Sequence, residues 1–419
     1  MHALIKPSAM LAMAIVSACA AAADPAASAS AAIDLRAAIR LALEQPGVRA
    51  AIHEAAAGDA EAAQAGRYPN PTLSFLREGQ RAGSSTSTLQ LDQPIELGGK
   101  RRARIMLAES AAALAHGELA ALRRTVRADV AAAFHALLAA RDRQALAKAL
   151  AEVARQGVDV AAKRVAAGKA APLDETRARL AALDAAGAVR RADGELAIAR
   201  TRLGALIGRP ADAIEPVAPA DGLPAPPPLS VLLARVEDAA PVRRARGRLA
   251  LQGAQAGVAR AARIPDLTLS VGSQREDQAG EFDGRVGARR QAVIGLSVPL
   301  PLFDRRSDAL AAALRRQDQA RDELEAARVE AGAALAAAHA RIEQARAEAA
   351  LLRDELVPQA RAAYELTLKG FEYGKFSFLD VLDAQRTWHQ AQLRRSDAVL
   401  EAWRAMADIE RLAGDADPQ

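Results

Sequence analysis

Apolar and polar positions alternate with two different periods along this chain. Period-two alternation occurs in four short stretches: Thr72-Leu73-Ser74-Phe75, Leu89-Gln90-Leu91-Asp92, Leu267 to Val271, and Ile294 to Val298. Such alternation gives a strand one apolar and one polar face. Pro94 and Pro299 are expected to end the second strand of each pair. The polar, glycine-bearing stretches from Glu78 to Ser87 and from Glu276 to Arg290 read as the loops between paired strands. The other pattern is helical and rich in alanine. Very long helices are predicted over 100–167 and 305–369, the second interrupted near its end by Pro358. A helix precedes each strand pair, over 34–66 and 229–263. After a turn at Gly168 or Gly374, a last helix follows each long one, over 173–206 and 378–412.

The two sets of elements repeat. "YPNPTLSF" at 68–75 returns as "IPDLTLSV" at 264–271, and "LQLDQPIELGGKRR" at 89–102 returns as "IGLSVPLPLFDRRS" at 294–307. "AGKAAPLDETRA" at 167–178 returns as "YGKFSFLDVLDA" at 373–384. Matches in the same order at nearly constant offset make one architecture of two similar halves. The proposed organisation is a signal segment over 1–23, a first repeat over 34–209, a Pro-rich linker over 210–228 and a second repeat over 229–413. A helix of about 65 residues is roughly 100 Å long. Two helices of about half that length match it end to end. Each long helix therefore descends from the strands and each last helix climbs back to mid-height, which places the linker at the waist.

Charge and composition narrow the class. The net charge is +5, but basic residues are interleaved with acids, and aromatics are 3% of the chain, too few for base-stacking platforms. No nucleic-acid partner is expected. The start carries a short apolar run, Ala9 to Ala22, which reads as an export signal. Two cleavage readings stay open: after Ala23, or at the lipobox-like Val16-Ser17-Ala18-Cys19, where Cys19 would be lipidated. Beyond it no run of about 20 apolar residues is apparent, so a membrane-crossing part would have to be built of strands. Four amphipathic strands leave two unpaired edges and cannot close a barrel alone. Three chains would supply twelve, with lipid outside and water inside.

"QPIELGGKRRARI" and "YGKFSFLDVLDAQRTWHQAQ" resemble TolC-type outer-membrane efflux proteins of the CzcC-like, heavy-metal branch, over essentially the whole mature chain. The resemblance implies a mainly α fold with a small β part, having long α-helical hairpins and four β-strands per chain. It implies a homotrimer whose strands form a β-barrel in the outer membrane, in contact with its lipid, and whose helices form a tunnel in the periplasm. It further implies a periplasmic adaptor and an inner-membrane RND-type pump as partners. Heavy-metal cations are the implied cargo, with drugs or other organic solutes as the alternative.

Gly168, Lys169, Phe371, Tyr373, Gly374, Lys375 and Phe376 fall at the hairpin tips, where they would pack the tip or meet the adaptor. Asp380 and Asp383, three apart, share one helix face. In the family the matching aspartates line the tunnel entrance, so a trimer would carry rings of carboxylates that attract cations, with some pKa values raised by crowding. The alternative is that Asp380 caps its helix. The first half has Asp174 and Arg177 at these positions, paired locally or bridging to a neighbour's acids. Lys100, Arg101, Arg102, Arg305 and Arg306 follow the strands and would sit level with lipid headgroups, or be ordinary surface charge. No cofactor, metal box or catalytic constellation is apparent in the sequence. The rival classes are a soluble periplasmic coiled-coil adaptor or tether, and a metal-binding periplasmic protein.

Overall fold

The computed structural model describes residues 31–81, 84–217, 222–223, 225–279 and 286–414. The signal segment and Cys19 lie outside the described residues. In chain order the elements of the first half are β1 (Ala31–Ile33), α1 (Leu35–Leu43), α2 (Pro46–Ala65), β2 (Thr72–Arg81), β3 (Ser84–Ile95), α3 (Lys100–Ala166), α4 (Pro172–Ile207) and β4 (Ile214–Pro216). The second half has α5 (Leu229–Ala234), α6 (Ala240–Ala261), β5 (Leu267–Ala279), β6 (Val286–Ser297), α7 (Ser307–Leu351), α8 (Val357–Glu372) and α9 (Phe378–Ala413). The fold is mainly helical with a small antiparallel sheet.

Several expectations change. The helix expected over 34–66 is two, because Pro46 cannot continue α1 and instead starts α2 at its first position. The helix over 229–263 likewise breaks into α5, a 3-10 turn at Val236–Asp238, and α6, which carries Pro241 in its first turn. Six strands occur among the described residues, not four: β1 and β4 form a separate parallel pair, Ile33 opposite Pro216. The strands of the main sheet also run on through most of the stretches expected as loops. Pro94 lies inside β3, opposite Thr268. The β2 pairing begins only at Thr72–Asp92, so the missing N–H of Pro94 breaks no β2 ladder bond. The interruption at Pro358 is a single π turn, Leu352–Leu356, which absorbs the backbone disturbance before α8 resumes.

The main sheet has the order β2-β3-β5-β6, antiparallel throughout, so the two halves join at β3–β5 and the edges are β2 and β6. The helices hang from it as two hairpins, α3 with α4 and α7–α8 with α9. At 67 residues, α3 is about 100 Å long. Buried alanines recur every seven residues: Ala133, Ala140, Ala147, Ala154 and Ala161 in α3; Ala178, Ala185 and Ala192 in α4; Ala391, Ala398 and Ala405 in α9. A strict seven-residue seam imposes a left-handed supercoil, and its small side chains let the helices approach closely. By length and composition alone, one 18-residue window of α3, of mean hydropathy 1.3, is apolar enough to cross a membrane. The helix as a whole packs along α4, α2, α6 and α9, while only 11% of that window is buried within the single chain.

At the waist each half has its own larger side chains. Phe134 and Leu137 of α3 meet Leu203 and Ile207 of α4 and Ile33 and Ile214 of the parallel pair. Leu335 and Ile342 of α7 meet Leu232 of α5 and Ile409 of α9. Each such buried side chain contributes roughly 1.5–3 kcal/mol. These two clusters fix the hairpins whose far ends carry the candidate site.

Candidate functional site

The two hairpin tips are built alike. α3 ends at Gly168 (φ +69°), and the Lys169 N–H donates to the Arg164 carbonyl at 2.8 Å. α8 ends at Gly374 (φ +76°), and the Lys375 N–H donates to the Gly370 carbonyl at 2.8 Å. Both are the six-to-one closure of a glycine-terminated helix, a backbone conformation that a Cβ would strain.

The aromatics divide between packing and exposure. Phe371 is 5% exposed, with its ring 5.6 Å from Phe378 and the Arg164 guanidinium 4.3 Å above it. It therefore cements the tip and is not an outward contact residue. Arg164 also donates to the Phe371 carbonyl, tying the first hairpin to the second. Tyr364 and Trp388 stack at 5.4 Å one layer further in. Neither Arg164 nor this stack was foreseen, because nothing local in the sequence links residues so far apart. Tyr373 (82% exposed) and Phe376 (49%) remain at the surface, the Phe376 ring lying against Gly370.

Asp380 is the third residue of α9 and forms a capping box with Ser377. Its carboxylate accepts from the Ser377 N–H at 2.8 Å, and its own N–H donates to the Ser377 hydroxyl at 3.3 Å. Hydrogen bonds from the Ser377 hydroxyl and backbone hold its carboxyl below the usual carboxylate range. In the single chain the shift thus runs downward, opposite to the rise expected from crowded acids. Asp383 is exposed one turn on. In the other hairpin Asp174 and Arg177 pair locally at 3.7 Å, on the first turns of α4. A capping role and an outward-facing charge coexist for Asp380, since both residues of the 380/383 pair are exposed.

At the opposite end, the sheet presents an apolar face carrying Leu73, Phe75, Leu89, Leu91, Val271, Ile294 and Leu296, with Ile294 78% exposed. The other face is polar: Ser270 Oγ donates to Asp92 at 2.5 Å and Gln90 Nε2 to the same oxygen at 2.6 Å. Below the sheet, the basic residues expected at headgroup level are partly committed to the fold. Lys100 pairs with Asp266 at 2.8 Å. Arg101 donates to the Gly66 carbonyl at 2.6 Å and lies 4.3 Å over the Tyr68 ring. Arg104 bridges Glu96 and the Ala65 carbonyl. These contacts lock the sheet to the helices. Arg102, Arg305 and Arg306 are exposed there; Arg306 adopts φ 53° and takes the place at the head of α7 that Gly99 holds at the head of α3. Among the described residues no group of His, Cys, Asp and Glu side chains is placed to hold a metal ion.

The family described as "Outer membrane efflux protein" matches residues 38–209 and 236–415. The "Cobalt-zinc-cadmium resistance protein CzcC" of Cupriavidus metallidurans is 39% identical over 352 residues, 84% of this chain and 82% of that one. The "Nickel-cobalt-cadmium resistance protein NccC" of Alcaligenes xylosoxydans xylosoxydans is 32% identical over 285 residues, 66% of this chain and 63% of the relative. Among solved structures, the outer-membrane channel OprN superposes with a TM-score of 0.77 at 24% identity, covering 91% of this chain and 89% of that one.

Proposed function

The chain belongs to the outer membrane efflux protein family and is an outer-membrane efflux channel; from that premise we propose how it is assembled and what it carries. Three copies pair edge β2 of one chain with edge β6 of the next, closing a barrel of twelve strands with the apolar face toward lipid and the Asp92 face toward water. The helical hairpins continue beneath as a tunnel through the periplasm. The observation that carries this reading is the four-stranded sheet itself. It exposes a continuous apolar face and two unpaired edges, an arrangement that is unstable in water and satisfied only by closure.

The channel is passive and not an enzyme. A pump of the RND type in the inner membrane supplies the energy, and a periplasmic adaptor meets the tips through Tyr373, Phe376, Lys169 and Lys375. Asp380 and Asp383 from three chains ring the tunnel entrance, and Arg177 restrains it. The cargo is heavy-metal cations, supported by the names of the relatives; conduction needs no resident metal site. Closure is tested with cysteines placed on β2 and β6 at facing positions. Oxidation should give covalent trimers, whereas dimers only would contradict ring closure. Cargo is tested in a strain lacking its own channel. The protein should lower accumulation of cobalt, zinc and cadmium, and rescue limited to organic dyes would favour the drug conduit.

A further inference from the structure

The apolar face of the sheet ends in a row of arginines. Register places Arg77 opposite Ser87, Ser87 opposite Arg275, and Arg275 opposite Arg290. Because side chains alternate faces, Arg77 points the same way as Leu73 and Phe75, Arg275 the same way as Leu269 and Val271, and Arg290 the same way as Ile294 and Leu296. The row therefore faces outward with the lipid-facing side chains, one two-residue step beyond Phe75, Leu89, Ser273 and Ala292. Arg77, Arg275 and Arg290 are all exposed.

Its height is set by the strands. Along β3 the apolar face begins at Ile95 and reaches the arginine row at Ser87, eight residues on. That is about 27 Å along the strand and, at a tilt of 35–45°, about 20 Å along the membrane normal, close to the ~25 Å band expected of a membrane barrel. The β3–α3 connection and the helices lie at the Ile95 end. The arginines thus stand at the far boundary, level with the headgroups of the external leaflet.

The charge at this level is one-sided. On the inner face Glu78 and Glu276 share a row with a single arginine, Arg289, and Gln291 donates to Gln274 at 2.7 Å, so the positive excess is confined to the outer face. On the outer face the three arginines meet one carboxylate, Asp277, which accepts from Arg275 Nε at 2.9 Å. Guanidinium groups bind phosphate oxygens bidentately, and a row of them beside an apolar wall matches a ligand with acyl chains below and phosphates above.

We propose that Arg77, Arg275 and Arg290 form a binding belt for the phosphorylated lipid A head of lipopolysaccharide, repeated round the trimer, with the acyl chains lying on Phe75, Leu89 and Ile294. This rests on the barrel reading given above.

The test uses the detergent-purified full protein, whose mass and conductance are measured first. Native mass spectra and thermal unfolding are then followed with added bisphosphorylated lipid A, dephosphorylated lipid A and phosphatidylglycerol. Bisphosphorylated lipid A should bind and raise the unfolding temperature, and the other two should do so far less. The Arg77→Gln/Arg275→Gln/Arg290→Gln protein should keep its trimer mass and conductance yet bind lipid A roughly tenfold to a hundredfold more weakly. A conducting trimer that does not distinguish the phosphorylated from the dephosphorylated lipid overturns the belt, as does one that takes phosphatidylglycerol equally well; the wild-type comparison decides even if the triple variant fails to assemble. A non-conducting monomer overturns the barrel reading itself, which is a different failure.

Discussion

His135 shows how a single side chain sets the conditions under which the waist holds. It is 5% exposed and stacks flat on Trp403, ring centroids 3.8 Å apart and 8° from parallel. Burial pushes its pKa down to about 4, so the folded protein keeps it neutral. The unfolded chain takes up a proton near pH 6.5. The contribution of His135 is therefore complete above about pH 6.5 and is lost as pH falls toward 4, by up to about 1.4 kcal/mol per unit. Unfolding of the purified protein at pH 7.5, 5.5 and 4.5 should show this slope, and His135→Phe should flatten it; an unchanged slope would assign the acid sensitivity elsewhere. At the tip, a Cβ built on Gly370 would come within 2.1 Å of the Phe376 ring. Gly370→Ala should destabilise the tip by about 1–3 kcal/mol through overpacking, read as faster proteolysis near Phe376 with the trimer intact. Such details were not legible in the sequence. "FEYGKF" announced a glycine turn with aromatics, and Gly374 has the expected positive φ. Which aromatic turned inward depended on Arg164 of the other hairpin, a contact no local pattern encodes.

Elements were legible where a period ran long enough to be read. The long helical stretches start and stop within a few residues of the expected positions, because alanine-rich sequence leaves little alternative, and Pro358 in the second costs only a π turn. The breaks at Pro46 and Pro241 were missed because a helical pattern resumes at once on the far side of each. The pairing of β1 with β4 is three residues long, too short to show any period. The outer parts of β2, β3, β5 and β6 read as loops because Ser, Thr, Gln and charged residues fill both faces there. In the sheet their backbones are paired across the strands, which suffices where neither face has to be apolar. The two faces lower down make a sharp contrast. Leu91→Arg places a charge on the lipid side and should cost about 2–4 kcal/mol near the membrane midplane, seen as loss of the assembled trimer from outer-membrane fractions. Gln90→Arg, one residue away on the water side, should assemble and change conductance instead. Equal tolerance of both substitutions would mean that the sheet does not face lipid.

The whole molecule joins three regions with separate demands: a sheet with an exposed apolar face and two open edges, a waist held by large side chains, and tips held by a small aromatic core with charges outside. The internal repeat makes the two hairpins nearly equivalent, yet they end differently. One tip presents the Asp174–Arg177 pair, and the other presents Asp383 at the position of Arg177, exposed beside the Ser377-capped Asp380. That asymmetry was readable from the aligned repeats. Under the proposed trimer, three second hairpins bring their acids round one axis, with Arg177 as the proposed restraint. The decisive measurement is planar-bilayer conductance of the purified protein, with its mass determined alongside, before and after Asp380→Ala/Asp383→Ala. A trimer giving small, cation-selective steps that grow and lose selectivity in the double variant is the predicted result. A water-soluble monomer or dimer with no conductance would contradict the channel, and a conducting trimer indifferent to both substitutions would remove the gate from the tips.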